Sequence, residues 1–224
     1  MDDEKRITTC NRVAYEKAAD NYFAGTKELF DDDVRDFCRR LLLTSVKGSD
    51  IVEIGCGPGH DAEKMRRTGM NVLATDYCQP LLNIAQMQYP DLNTTRMDVT
   101  KIGLNENSCD GVFGYGVFHH VPPSLAAATT QRIHDILRPR GVLVMCLLGS
   151  TQFDRRIVAN WGEIPNNPLQ FEYFTPDQIE SYLRQAGFAS VEFFRESCAA
   201  YDNAPEFRVH KIFAFQVRAM KGSN

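Results

Sequence analysis

The sequence predicts an α/β protein built on a doubly wound, mostly parallel sheet of seven strands with an antiparallel last strand. Three observations predict it. Between residues 50 and 148 short apolar runs alternate with helix-like stretches. The first apolar run ends in a cluster of glycines. The last two β-rich runs have no helical pattern between them, which rules out a right-handed parallel crossover and favours an antiparallel hairpin.

The elements follow in order. Residues 11–46 carry Val13, Ala14, Leu29, Phe30, Val34, Phe37, Leu41 and Leu42 at helical spacing. Gly25 is expected to divide this stretch into two helices and Gly48 to end the second. Residues 51–54 form a buried strand, 60–68 a helix stopped by Gly69, 71–75 a strand closed by Asp76, and 80–89 a helix. Residues 94–97 make a weaker strand ending at Asp98, and 110–115 a fourth. Residues 122–137 read as a helix with prolines at its permitted entry positions. Residues 141–148 are almost wholly apolar, as a strand covered on both faces should be. Residues 149–174 hold prolines, paired asparagines and the single Trp, and read as a long connection. Thr175-Pro176-Asp177-Gln178 is a capping box that opens a helix ending at Gly187. The β-rich runs 188–195 and 208–219 complete the chain.

Composition narrows the class. At 224 residues the chain fits one domain: a helical cap (1–48), a core (49–148), a connection or lid (149–174) and a C-terminal helix with strands (175–224). A net charge of −4 leaves no basic surplus to neutralise phosphates, so neither a nucleic-acid partner nor an anionic membrane is expected. Of the seven cysteines, no two lie closer than Cys38 and Cys56, which gives neither a disulfide framework nor metal-ligand spacing. Residues 1–9 lack the apolar segment of a secretion signal. The expectation is a reduced, soluble, cytoplasmic protein, monomer or homodimer, with no metal.

The strongest chemical signal is Glu53-Ile54-Gly55-Cys56-Gly57-Pro58-Gly59 at the carboxyl end of the first strand, where open α/β sheets bind ligands. Glycines there permit a tight turn and a close backbone approach. Asp76 lies about 20 residues beyond Gly55, placed to accept from both hydroxyls of a ribose. Asp98 closes the next strand and can accept from the exocyclic amine of an adenine. Together they describe an adenosine site. A dinucleotide fold prefers G-x-G-x-x-G, but His60 stands where its third glycine would fall. Glu53 suits an ammonium better than a pyrophosphate, so a cofactor with an amino-acid tail fits.

These motifs, with D-G-V-F-G-Y-G-V-F-H-H-V-P (110–122), L-R-P-R-G-V-L-V-M (137–145) and T-P-D-Q-I-E-S-Y-L-R-Q-A-G-F (175–188), resemble class I S-adenosylmethionine-dependent methyltransferases of the small-molecule type. The resemblance implies their Rossmann-like fold and S-adenosylmethionine as cofactor, with S-adenosylhomocysteine as product. It implies that the backbone of Gly55, Gly57 and Gly59 lines the methionine half, with Cys56 also cofactor-binding and Glu53 supporting the turn or the ammonium. Asp76 would hold the ribose, with Tyr77 and Cys78 beside the adenine. Asp98 would read the adenine amine between Met97 and Val99. Tyr115 and Gly116 would lie against the methionyl portion, and Tyr15 and Tyr22 would close the pocket. Arg140 stands where many relatives have glycine, on the opposite turn, with no consequence expected for activity.

The implied reaction is direct displacement at a sulfonium methyl, in which the protein aligns donor and acceptor and excludes water. Where the acceptor needs deprotonation, His119 and His120 after the fourth strand are the candidate bases, with a structural role for either as the alternative. The substrate wall is expected from the N-terminal helices, the 149–174 connection and the 202–206 loop. Phe153, Trp161, Phe171, Tyr173 and Phe174 make either an aromatic chamber or a lid's own small core. Arg155, Arg156 and Arg208 are acidic-substrate ligands or surface charge. The competing functions are an NAD(P)-linked oxidoreductase and a non-catalytic module that keeps the cofactor fold.

Overall fold

The computed structural model describes residues 3–26, 33–194 and 212–223, with side chains from residue 7. The order is α1 (Asp3–Thr26), α2 (Asp33–Ser45), β1 (Asp50–Ile54), α3 (His60–Arg67), β2 (Asn71–Asp76), α4 (Gln79–Gln88) and β3 (Asn93–Arg96). There follow β4 (Cys109–Tyr115), α5 (Pro123–Ile136), β5 (Leu137–Ser150), β6 (Asp154–Val158), β7 (Leu169–Tyr173), α6 (Pro176–Gln185), β8 (Phe188–Phe194) and β9 (Ile212–Lys221).

Seven strands form one sheet in the order β3-β2-β1-β4-β5-β9-β8, and β9 alone runs against the rest. Alternation along each strand feeds two apolar layers. Ile51, Phe113, Val144 and Cys146 face α2 and α3. Val52, Val112, Leu143 and Met145 face α5 and α6. Each large side chain so buried contributes roughly 1.5–3 kcal/mol, which fixes the strand register. The Thr175 capping box is present, with the Gln178 amide donating to Oγ1 at 3.2 Å and the Thr175 amide to Gln178 Oε1 at 3.0 Å. Among the described residues no helix is long and apolar enough to cross a membrane.

Three expectations are corrected. The first of the two expected helices, α1, begins well before residue 11 and ends at Thr26, one residue past Gly25. Residues 27–32, with Leu29 and Phe30, lie outside the described residues, as do residues 202–206 and Arg208. The 149–174 connection contains an antiparallel hairpin, β6 with β7, in which Arg155 opposes Glu172. No alternation announces β6, because its Asp-Arg-Arg start faces water and its Ile157 is exposed. Finally, β5 starts at Leu137 rather than 141. The chain passes through Pro139 and Arg140 as an irregularity in the ladder with β4, the Arg140 amide donating to the Gly222 carbonyl at 3.0 Å.

Arg140 adopts φ +65°, the left-handed conformation that glycine takes without penalty. A glycine at this position would meet the same backbone demand without that penalty. Arg140→Gly is therefore expected to leave stability unchanged or raise it by up to about 1 kcal/mol, and Arg140→Val to lower it by about 1–2 kcal/mol. Denaturant unfolding checks both, and equal losses would discard the backbone explanation.

A buried ion cluster ties α2 to α3. Arg35 and Arg39 both donate to Asp61, which is 3% exposed. Asp61→Ala would remove the buried carboxylate that Arg35 and Arg39 share, leaving Arg39 with Asp36 at the helix surface, and is expected to cost about 3–5 kcal/mol in the same measurement. A loss within experimental error would mean that packing alone joins the helices.

Candidate functional site

Four successive strand ends open into one cavity of about 800 Å³, its open mouth included. The turn after β1 supplies Gly55 and Gly57, and the end of β2 supplies Asp76, Tyr77 and Cys78. Met97, Asp98, Val99 and Thr100 follow β3, while Tyr115, Gly116 and Val117 come from the end of β4. Helix α1 roofs the cavity with Thr8, Asn11, Arg12, Tyr15 and Tyr22, and His120 joins them. β1 and β4 are neighbours, so the cavity sits at the switch point of the sheet.

The glycine turn explains itself physically. Gly55 has φ +68°, and a Cβ on it would lie 2.6 Å from Val117. Gly57 has φ +53°, and a Cβ on it would approach only Tyr22, at 3.9 Å, so its bare backbone faces the roof across the cavity.

Asp76 is held by backbone. The Gly57 amide donates to its Oδ2 at 2.8 Å and the Cys78 amide to its Oδ1 at 2.7 Å. Burial pushes this carboxyl above the ordinary carboxylate range, against the pull of those amides. Asp98 accepts from both the amide and the hydroxyl of Thr100, at 2.9 and 2.7 Å, on a single oxygen, Oδ1. Two guanidiniums lie over the Tyr77 ring, Arg12 at 5.6 Å and Arg96 at 5.4 Å from its centroid. The Arg35 guanidinium stacks on Tyr115 at 3.9 Å.

Of the residues singled out in the sequence, Tyr15, Tyr22, Gly55, Gly57, Asp76, Tyr77, Met97, Asp98, Val99, Tyr115, Gly116 and His120 line the cavity. Glu53, Cys56, Gly59 and His119 are not among its lining residues. Glu53 is buried behind the turn. Burial, reinforced by the nearby Asp61 charge, pushes its carboxyl well above the usual range, and its Oε2 has no hydrogen-bond partner among the described residues. Gly59 packs on Leu92 and Ala85 at the start of α3. His119 lies behind Gly116 against Phe171. Burial holds it well below the ordinary histidine range.

His120 is the histidine at the cavity. Its Nε2 lies 3.0 Å from the Tyr15 hydroxyl and its Nδ1 3.2 Å from the Gln170 carbonyl. Burial pushes its pKa down to about 4. Thr8, Asn11 and Arg12 were not read from the sequence as lining residues. Their signal was present: positions 8, 11, 12, 15 and 22 share a helical face. Arg155 is committed to buried Glu172 at 2.9 Å. Phe171 and Tyr173 pack in the layer against α1 and α2, whereas Phe174 packs with Phe118 and Tyr182 on the other face, so the connection's aromatics do not form one chamber.

A family model described as "Methyltransferase domain" matches residues 27–192. A "Probable S-adenosylmethionine-dependent methyltransferase" of Mycobacterium tuberculosis is 27% identical over 143 residues, covering 63% of this chain and 49% of the relative. The match thus spans about half the length of that relative. A ubiquinone biosynthesis O-methyltransferase of Dinoroseobacter shibae is 29% identical over 161 residues, covering 65% of this chain and 62% of the relative. The solved structure of 1,6-didemethyltoxoflavin-N1-methyltransferase from Burkholderia thailandensis, with S-adenosylhomocysteine bound, has the same fold at TM-score 0.71 and 20% identity, covering 98% of this chain and 90% of that one. Sheet order, glycine turn, the two strand-end acids and the family match agree, and the chain belongs to the class I S-adenosylmethionine-dependent methyltransferases.

Proposed function

We propose that this chain transfers the methyl group of S-adenosylmethionine to a small-molecule acceptor by direct displacement, as a cytoplasmic enzyme. The observation that carries the reading is how the two cavity carboxylates are engaged. The Gly57 and Cys78 amides hold the Asp76 carboxylate, one on each oxygen, with the Tyr77 amide also drawing on it, and the carboxylate lines the cavity where the hydroxyls of a ribose would bond. Asp98 spends Oδ1 on Thr100, leaving Oδ2 for an exocyclic amine. The bare Gly57 backbone under Tyr22 offers the narrow passage that an amino-acid arm needs. The residues present therefore fit the cofactor.

A small-molecule acceptor is supported by the negative net charge and by relatives whose names specify small-molecule methylation. The displaced pyrophosphate-type glycine at His60 and the family match both weigh against a nicotinamide oxidoreductase. When bound, the cofactor supplies a methyl group already activated on a sulfonium sulfur. The protein's part is alignment, exclusion of water by α1, and removal of the acceptor's proton. His120 is the base in this reading. Its depressed pKa keeps it unprotonated at neutral pH, and its Nε2 reaches the cavity through the Tyr15 hydroxyl. His119 packs behind it and supports its position.

Thermal-shift measurements should show stabilisation by S-adenosylmethionine and S-adenosylhomocysteine, by a few kcal/mol at about 100 times the dissociation constant. NAD(P) should have no effect. Asp76→Ala is expected to abolish most of the shift, and a response to NAD(P) alone would overturn the reading.

A screen of metabolite fractions for methyl incorporation identifies an acceptor for kinetics. A base must be unprotonated, so activity should be lost as pH falls through the His120 pKa, with an acid limb near 4 rather than 6.5. His120→Asn should lower kcat about 10²–10⁴-fold and remove that limb. A limb unchanged by the substitution would take the base role from His120.

A further inference from the structure

A neutral histidine carries one ring proton, and the nitrogen that keeps it decides what the other can do. His120 is set by three contacts. The Gln170 carbonyl lies 3.2 Å from Nδ1 and the Tyr15 hydroxyl 3.0 Å from Nε2. The Asn11 Nδ2 lies 3.4 Å from Nδ1. The peptide of Gln170 is itself gripped by Asn11. The Gln170 amide donates to Asn11 Oδ1 at 2.9 Å, and Asn11 Nδ2 donates to the Gln170 carbonyl at 2.8 Å. Only one orientation of the asparagine amide makes both bonds, so its NH₂ end faces the carbonyl.

We propose that Asn11 is a positioning residue of this site: by pairing with both peptide groups of Gln170, as a neighbouring strand would, it aims that carbonyl at His120 Nδ1 and holds the ring in its Nδ1–H form, with Nε2 open to the Tyr15 proton. The opposite form would set the Nδ1 lone pair against the carbonyl lone pairs at 3.2 Å, in exchange for an Asn11 contact at 3.4 Å, near the outer limit of a hydrogen bond. The other rings facing His120 are Phe171 at 5.0 Å and His119 at 4.5 Å, the latter kept neutral by its own burial.

The purpose of this arrangement rests on the methyl-transfer reading. Through the Tyr15 hydroxyl, His120 Nε2 takes the proton of an acceptor atom that bears one, which selects hydroxyl or N–H nucleophiles. The acceptor's lone pair forms the new bond to the methyl carbon, and the electrons of the broken carbon–sulfur bond stay on sulfur. The acceptor's proton passes to the Tyr15 oxygen while the Tyr15 proton passes to His120 Nε2. The positive charge lost at sulfur reappears on the imidazole, so the buried site keeps its net charge.

The test is ¹⁵N NMR of the histidine rings in the ligand-free protein at neutral pH. The chain has five histidines, and His120→Asn assigns the signal. Wild-type protein should show His120 protonated at Nδ1. Asn11→Ala should shift the tautomer ratio toward Nε2–H about fivefold or more, the worth of one net hydrogen bond. Gln170→Ala, which keeps the carbonyl, should leave the ratio unchanged. An Nε2–H ring in the wild type overturns the proposal even if Asn11→Ala does not fold, and so does an unchanged ratio in folded Asn11→Ala. The measurement needs no cofactor. A protein indifferent to S-adenosylmethionine would sink the methyl-transfer reading while leaving the tautomer result to stand or fall on its own.

Discussion

Asparagine side chains bonded to backbone hold the roof over the cavity, and the rest of the site depends on them. Besides the two bonds between Asn11 and Gln170, Asn167 Nδ2 donates to the Ala14 carbonyl at 3.0 Å and to the Trp161 carbonyl at 2.9 Å, and Asn21 Nδ2 donates to the Gly162 carbonyl at 2.9 Å. Between Ile7 and Tyr22 the fully buried apolar positions of α1 are Ala14, Ala18 and Ala19, whose small side chains bury little area. Apolar burial alone would let this helix slide. Directional bonds to the β6–β7 hairpin fix it, and the alanines permit the closeness those bonds require. At Gly162 a Cβ would lie 2.4 Å from that of Ala18.

Below the glycine turn, charge is handled differently. Arg35 and Arg39 neutralise Asp61, and Glu53, buried beside them, is pushed toward its protonated form because a second carboxylate there would have little water to stabilise it. The cluster is continuous with the cavity through Arg35, which also stacks on Tyr115. The floor of the site is therefore braced by ion pairs and a stacked cation, while its roof is braced by neutral amides.

Much of this was legible in the sequence because it rests on local rules. Gly55 and Gly57 mark positive φ, Asp76 ends β2, Asp98 follows β3, and Thr175 with Gln178 caps a helix through contacts three residues apart. The antiparallel β9 followed from the lack of a helical pattern in the sequence between the last two β-rich runs. What stayed hidden depends on distant partners. β6 is a strand because β7 pairs with it, and Arg155 is tied up because Glu172 lies opposite after folding. Asn11 meets Gln170 across 159 positions, a separation no local pattern reports. Glu53 and His119 sit in the right motifs, but strand alternation and burial turn them away from the cavity wall.

The single tryptophan gives the molecule a built-in optical gauge. Trp161 lies 5.6 Å from Tyr15 and 6.2 Å from Tyr22, centroid to centroid, on the segment bonded to α1. Its indole N–H is buried without a hydrogen-bond partner among the described residues. Any lifting of the helix would wet that group and separate it from both phenols, so intrinsic emission from one position reports whether the chamber is shut.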